Sequence, residues 1–496
     1  MSEYEAVPYD SEPFPETHPG RLAAIGRFFG MSPKPIEGAR VLELGCAAGN
    51  NLIPVAHALP GAEFLGIDTT ASAIAAGQRL ISRLGLSNIK LEQCDLMNLG
   101  PEQGQFDYII AHGLFSWVAP EIQERTFALC GELLSPQGIA YISYNSFPGW
   151  HLRLLMRELL IFSTEGITTT KDKIDRARAV AKLMEQGLSR RSAAFPRAVA
   201  DQLKLLDTFP DWYFYHDVLE GENRPEYLTR FLDRARGHGL QYLGDADLQK
   251  MSPHDIPEGI RRGVGSYAKS IEQVEQYLDF YRLEMFRRTL LCRGDIRLSR
   301  GQSIERIGEL RYAARLKDTT ASDPGHFEFE DGRIVETADD VMRRAFRRLG
   351  EEWPRSLSYD ELHRELAEVD AQLAAEKVLV QGLFQSVLAG HIELRVFESA
   401  EVNRVSERPI ASPLIRVQAE EGSRITSLHH RLLILDDYSR AVVERLDGSR
   451  TNEALVREIS ALRSQGALPP LIESEDESDL LSRTLQLFCA EALLVG

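Results

Sequence analysis

Residues 40–50 read RVLELGCAAGN, and the order of events in those letters decides the fold. Arg40–Leu44 is a short apolar strand of the buried type, Gly45–Asn50 is a glycine-bearing turn, and an apolar helix, Asn51–Leu59, follows at once. The same alternation repeats downstream. A second strand, Glu63–Ile67, ends at Asp68. A helix pattern runs from Thr70 to Leu84, with Thr69 or Thr70 as N-cap. A third strand, Ile89–Cys94, ends at Asp95. A fourth, Phe106–Ala111, precedes a helix over Pro120–Leu134. A fifth, Ile139–Tyr144, ends at Asn145. This alternation predicts a parallel, doubly wound α/β sheet.

The turn also carries chemistry. Glu43-x-Gly45-x-Ala47-x-Gly49 puts small residues where backbone must approach a ligand closely. Asp68, 19 residues after Gly49, ends strand two, where a carboxylate can accept from a ribose diol. Asp95 ends strand three. It could accept from an adenine amine, with Leu96 against the ring, or simply cap a turn. Asn50 and Thr69 join this candidate cofactor set. A dinucleotide site brings pyrophosphate to a GxGxxG helix start, and Glu43 would repel it. S-adenosylmethionine has no phosphate but an ammonium and a sulfonium, which Glu43 suits directly or through water.

The chain has 496 residues, 57 Lys plus Arg against 74 Asp plus Glu, and a net charge of −17. That argues against a surface that coats nucleic acid, while it suits a cationic or lysine-bearing partner. The five cysteines are scattered without a CxxC pair, so neither a disulfide framework nor a metal site is expected. No signal peptide and no apolar run of about 20 residues is visible, so membrane insertion is not expected and a cytoplasmic protein is.

After Asn145 the alternation stops. Residues 151–236 read as helical (Leu152–Ile161, Lys171–Leu188, Ala194–Leu206), and strand-like segments return at Gly239–Gly244 and Arg288–Arg293. From about residue 300, helices Thr337–Leu349, Tyr359–Leu373 and Lys377–Leu388 precede a strand-like His391–Phe397. Residues 427–496 have a similar plan, with a terminal helix Leu480–Leu494.

VLELGCAAGNN, GIDTT and QCDLMNL resemble the motifs of class I S-adenosylmethionine-dependent methyltransferases, with Ala47 where many members have glycine. PYDSEPFPETHP (Pro8–Pro19), AHGLFSWV (Ala111–Val118), SYNSFPGWH (Ser143–His151) and WYFYHDVLE (Trp212–Glu220) resemble a bacterial subgroup with a methyltransferase regulatory domain and C-terminal winged-helix-like regions. That subgroup is similar to the protein lysine methyltransferases of outer-membrane surface proteins. The resemblance implies a seven-stranded Rossmann-like α/β sheet with its last strand antiparallel, closed by the two late strands around a helical insertion, plus C-terminal α+β winged-helix-like domains. The expected division is 1–36 as an arm and cofactor lid, 37–150 as the cofactor-binding core, 151–236 as the insertion, 237–298 as completion of the sheet, and 299–408 and 414–496 as winged-helix-like units. It implies S-adenosylmethionine as cofactor and a lysine-bearing protein, such as an outer-membrane or surface protein, as substrate. A small-metabolite acceptor and a purely regulatory cofactor-binding protein are the alternatives.

In the loop after strand four, Phe115 and Trp117 could wall the transfer pocket or pack ordinarily, and His112 could bond cofactor, act as base, or be structural. After strand five, Tyr144 and Asn145 offer polar groups to an acceptor amine, or Asn145 caps a turn. The resemblance implies that Tyr9, Phe14 and His18 of the arm cover the cofactor; a disordered tail is the alternative. Tyr215 and His216, in the aromatic segment of the insertion, could contact substrate as a lid or fill a core.

Overall fold

The computed structural model describes residues 11–252, 255–300, 306, 308–318, 325–329, 332–369, 376–398, 400–471 and 476–496. Its centre is a seven-stranded sheet: β1 (Arg40–Leu44), β2 (Glu63–Asp68), β3 (Ile89–Gln93), β4 (Phe106–Ala111), β5 (Leu134–Asn145), β6 (Leu240–Asp245) and β7 (Phe286–Arg293). The strand order is β3-β2-β1-β4-β5-β7-β6. β1 to β5 pair in parallel, and β7 runs antiparallel to both β5 and β6. The order reverses between β1 and β4, which opens the crevice where doubly wound sheets bind ligands. Apolar β1 is central, with Val41, Leu42 and Leu44 buried on its two faces. Glu43 stands opposite Gly66 on one side and Ile110 on the other.

The insertion contributes helices Trp150–Ser163, Thr170–Leu188 and Ala194–Leu205. It packs a core of its own around Met156, Leu160, Ile174, Leu203 and Phe214. Helix Leu228–Gly237 then returns the chain to β6.

The arm is more ordered than its prolines suggest. Within the expected 1–36 arm, Pro19–Phe28 is a helix whose Leu22, Ala23, Ala24, Ile25 and Phe28 are buried. Pro19 suits a helix start, and His18 Nδ1 accepts the Gly20 N–H at 3.0 Å as the cap.

Beyond β7, helices Asp340–Glu352, Tyr359–Val369 and Glu376–Leu388 accompany a small sheet of Leu357–Ser358, Arg311–Ala313 and Glu393–Arg395. The strand expected over residues 391–397 contracts to those last three residues. A final module holds helices Pro413–Glu421, Asp437–Val443, Asn452–Ser464 and Glu477–Ala490. Its last helix stops short of the expected Leu494, because Leu494–Val495 pairs with Ile410–Ala411 as a strand. It also carries a hairpin not anticipated from sequence, Arg424–Thr426 against Leu432–Ile434. Among the described residues, no helix is long and apolar enough to cross a membrane.

Candidate functional site

The turn after β1 is held open by backbone geometry. Gly45, Ala47 and Gly49 all take positive φ, at 75°, 46° and 74°. Gly45 and Cys46 donate to the Ile67 carbonyl at 2.9 and 3.0 Å. A Cβ on Gly49 would meet Leu91 Cδ1 at 2.8 Å, so only glycine fits there. Asp68 ties the turn to strand two. Its Oδ2 accepts from Ala47 N at 2.9 Å and its Oδ1 from Thr70 N at 2.8 Å. Each oxygen keeps a further lone pair for a hydroxyl donor.

Glu43 lies beneath this turn, 3% exposed. Its Oε1 accepts from Asn51 Nδ2 at 2.6 Å. Its Oε2 is buried with no hydrogen-bond partner. Burial pushes the carboxyl up to about 8; the Asn51 bond opposes that rise and the Asp68 charge adds to it. Asn51 Oδ1 accepts in turn from Phe14 N at 2.9 Å and from His430 Nε2 at 2.8 Å. Asn50 Nδ2 donates to the Ser11 carbonyl at 2.9 Å, so the arm crosses directly over the turn. A buried, unsatisfied carboxylate oxygen needs a cationic N–H donor. That fits the amino end of S-adenosylmethionine, with Asp68 available to its ribose.

Of the third-strand pair, Leu96 is buried, whereas Asp95 is exposed and its Oδ1 accepts from Met97 N at 2.9 Å as a turn cap. Thr69 is exposed at the rim, its carbonyl accepting from Gln93 Nε2 at 3.1 Å. Tyr9 lies outside the described residues. Phe14 stacks on His112 with ring centroids 3.6 Å apart. His18 sits instead between modules, with its ring 5.7 Å from Phe397 and 5.7 Å from His430.

At the exits of β4 and β5, Tyr144 and Phe115 both turn into the core. Side chains alternate across a strand. Tyr144 therefore faces the core, where it stacks on Phe231 at 4.1 Å and its hydroxyl meets Thr289 Oγ1 at 3.2 Å. Phe115, fully buried against Phe127 and Phe231, cannot wall a pocket. Tyr141, Ser143 and Asn145 share the opposite face. Tyr141 Oη meets His112 Nδ1 at 2.9 Å, and Ser143 Oγ accepts from Gly113 N. Burial, with Arg288 nearby, lowers His112 to about 3, which favours the neutral ring. Trp117 remains half-buried, but Arg157 covers its ring at 5.3 Å. Tyr215 and His216 are 5% exposed, within the insertion. Tyr215 belongs to its core, so neither side chain forms an open lid surface.

The segment after them borders the same edge. Arg224 N donates to the Ser116 carbonyl at 2.7 Å and Glu226 N to the Asn145 carbonyl at 3.0 Å. Three buried side-chain atoms here have no hydrogen-bond partner: Asn145 Nδ2, Asn223 Nδ2 and Glu220 Oε2. Asn51, Glu220, Asn223 and His430 are not among the site residues expected from sequence. Asn51 had a signal, a second asparagine directly after the turn. His430 had none, because its partner is 379 residues away.

The strand order and this turn define the class: an S-adenosylmethionine-dependent methyltransferase with a Rossmann-like sheet. A methyltransferase-domain model matches residues 41–138, the predicted methyltransferase regulatory domain matches 210–293, and the PKMT C-terminal winged-helix domain matches 407–493. An uncharacterized protein of Rickettsia prowazekii, RP789, is 28% identical across 99% of this chain and 93% of its own. A shorter one, RP028, is 34% identical across 48% of this chain and 96% of its own. The structure of PKMT2 from Rickettsia typhi in complex with AdoHcy superposes with a TM-score of 0.89 at 25% identity, covering 99% of this chain and all of that one. The chain belongs to this family of methyltransferases, which joins a regulatory domain and a PKMT winged-helix domain to the catalytic sheet.

Proposed function

We propose that the protein transfers methyl groups from S-adenosylmethionine to lysine side chains of a protein substrate. The observation that carries this reading is the whole-length likeness to PKMT2, a fold with AdoHcy in its complex. The buried, partnerless oxygen of Glu43 supports the cofactor half. When bound, the cofactor supplies an already activated methyl group, so the protein must chiefly align a neutral amine.

The residues divide that work. Glu43 receives the cofactor ammonium, Asp68 the ribose, and Leu96 packs on the adenine side. Gly45, Ala47 and Gly49 let the backbone come close, and Asn50 pins the arm over them. Asn145, Asn223 and Glu220 line the acceptor rim. A lysine amine arrives protonated at neutral pH, and the free acceptor oxygen of Glu220 is suited to take its hydrogen bond as the proton leaves. Trp117 borders the rim. The expected partition, with 37–150 and 237–298 forming one catalytic body around the 151–236 insertion and the two later units seating substrate, is part of this proposal.

The finer assignment is an outer-membrane or surface protein modified in the cytoplasm before export. The −17 net charge suits a lysine-rich substrate, and the five free cysteines suit a reducing compartment. Transfer of labelled methyl to lysine-rich surface proteins, followed by size fractionation, tests the reading. Label in the protein fraction supports it. Label only in the low-mass fraction of an extract replaces it with a metabolite acceptor.

A further inference from the structure

The hairpin Arg424–Thr426/Leu432–Ile434 of the last module ends in a tight tip. His430 N donates to the Ser427 carbonyl, Ser427 N donates to the Arg431 carbonyl, both at 2.9 Å, and His430 takes a φ of 60°. This tip does not point to solvent. His430 is 3% exposed, edge-on to His18, and its Nε2 lies 2.8 Å from Asn51 Oδ1. A carbonyl oxygen requires a donor, so the ring proton sits on Nε2.

The module is anchored at this place by other contacts. Arg424 pairs with Glu12 of the arm. Arg83, on the helix after β2, pairs with Glu420 and Glu421 at 2.5 Å each. Leu428 N donates to the Ala492 carbonyl at 3.0 Å, fixing the hairpin to its own module.

We propose that His430 is a positioning residue of the cofactor site, so that affinity for S-adenosylmethionine depends on the seating of the C-terminal winged-helix module. This deepens the reading above and rests on Glu43 receiving the cofactor ammonium. The logic is that of a planar amide. Asn51 presents an oxygen on one edge and an NH₂ on the other. Rotation by half a turn would aim its oxygen at Glu43, which must be ionised to receive the cofactor ammonium, and leave both oxygens unsatisfied. The N–H groups of His430 and Phe14 converge on Oδ1, beside the Thr17 hydroxyl at 3.0 Å, and hold the amide the productive way round. Asn51 then engages Glu43 Oε1 and leaves Oε2 for the cofactor. The hairpin tip thereby links a module at the far end of the chain to the carboxylate under the turn.

The test is calorimetric titration of the full-length protein with S-adenosylhomocysteine. His430→Leu keeps the bulk and removes the donor, and His430→Gln restores an N–H. The proposal expects about tenfold weaker binding for His430→Leu, the loss of one hydrogen bond at a charged network. It expects partial rescue by His430→Gln and no further loss from His430→Leu in an Asn51→Ala background. A purely structural role would lower the unfolding midpoint and leave affinity alone. Wild-type affinity in His430→Leu, beside weakened binding in Glu43→Gln, overturns the proposal while sparing the Glu43 assignment. Wild-type affinity in Glu43→Gln overturns both.

Discussion

Asn51 Nδ2 donates to Glu43 Oε1 at 2.6 Å, and the second Glu43 oxygen is buried without a partner. One carboxylate is therefore half satisfied by the protein and half reserved.

That arrangement sets a pH dependence. Burial raises the Glu43 carboxyl to about 8, so the ligand-free fold holds a proton there that the unfolded chain gives up in the ordinary carboxylate range. The stability from Glu43 is complete below that range and is lost as pH rises towards about 8. A cationic ligand favours the ionised form, so binding should release a proton across this window, and affinity should rise with pH up to about 8. Calorimetry of S-adenosylhomocysteine binding in buffers of different ionisation enthalpy should show release near pH 7 in the wild type. The Glu43 share of that release should vanish in Glu43→Gln; identical release would contradict the account.

Asp68 is expected to be the most sensitive acid at the rim. It serves Ala47 N and Thr70 N with separate oxygens, and Asn cannot accept with both. Asp68→Asn should weaken S-adenosylhomocysteine about ten- to a hundredfold, the worth of hydrogen bonds to a charged group. A titration within twofold of wild type would remove Asp68 from the site.

Ala47 and Gly49 should respond in opposite directions. Ala47 holds a φ of 46° that glycine adopts without strain. Ala47→Gly should change stability only slightly, up to about 1 kcal/mol in favour, because relief of strain outweighs added chain entropy. Gly49→Ala meets both a positive φ and the Leu91 methyl, and should cost about 1–3 kcal/mol. Chemical denaturation of the two variants checks the ordering.

Tyr144 separates sequence expectation from structure. Tyr144→Phe removes one contact with Thr289 in the core. It should cost about 0.5–1.5 kcal/mol of stability and leave kcat unchanged, whereas Asn145→Ala, at the end of the same strand, should lower kcat. Loss of activity in Tyr144→Phe would return that hydroxyl to the chemistry.

The sheet was legible because short, largely apolar strands such as β1 and β4 alternate with helix-length segments, and the glycine turn with Glu43 and Asp68 marked the cofactor edge. Two kinds of information were not local. Strand pleating decides that Tyr144 and Asn145 take opposite faces of the sheet, and the aromatic string alone does not fix that phase. Sequence leaves Phe115 and Tyr215 open between core and pocket, since a large aromatic serves either equally well, and both are buried. The Asn51–His430 bond depends on how distant modules dock, and no spacing in the chain encodes it. The arm helix Pro19–Phe28 was hidden by the prolines before it, although its LAAI run is the apolar face that packs.

The central claim is methyl transfer to lysine, and tandem mass spectrometry of a lysine-rich surface protein incubated with enzyme and S-adenosylmethionine tests it most directly. The account predicts methyl-sized mass increments confined to lysine Nζ, lost when Glu43→Gln or Asp68→Asn replaces the wild type. Increments on carboxylates or other side chains, or an unmodified protein beside a cofactor-loaded enzyme, would contradict it.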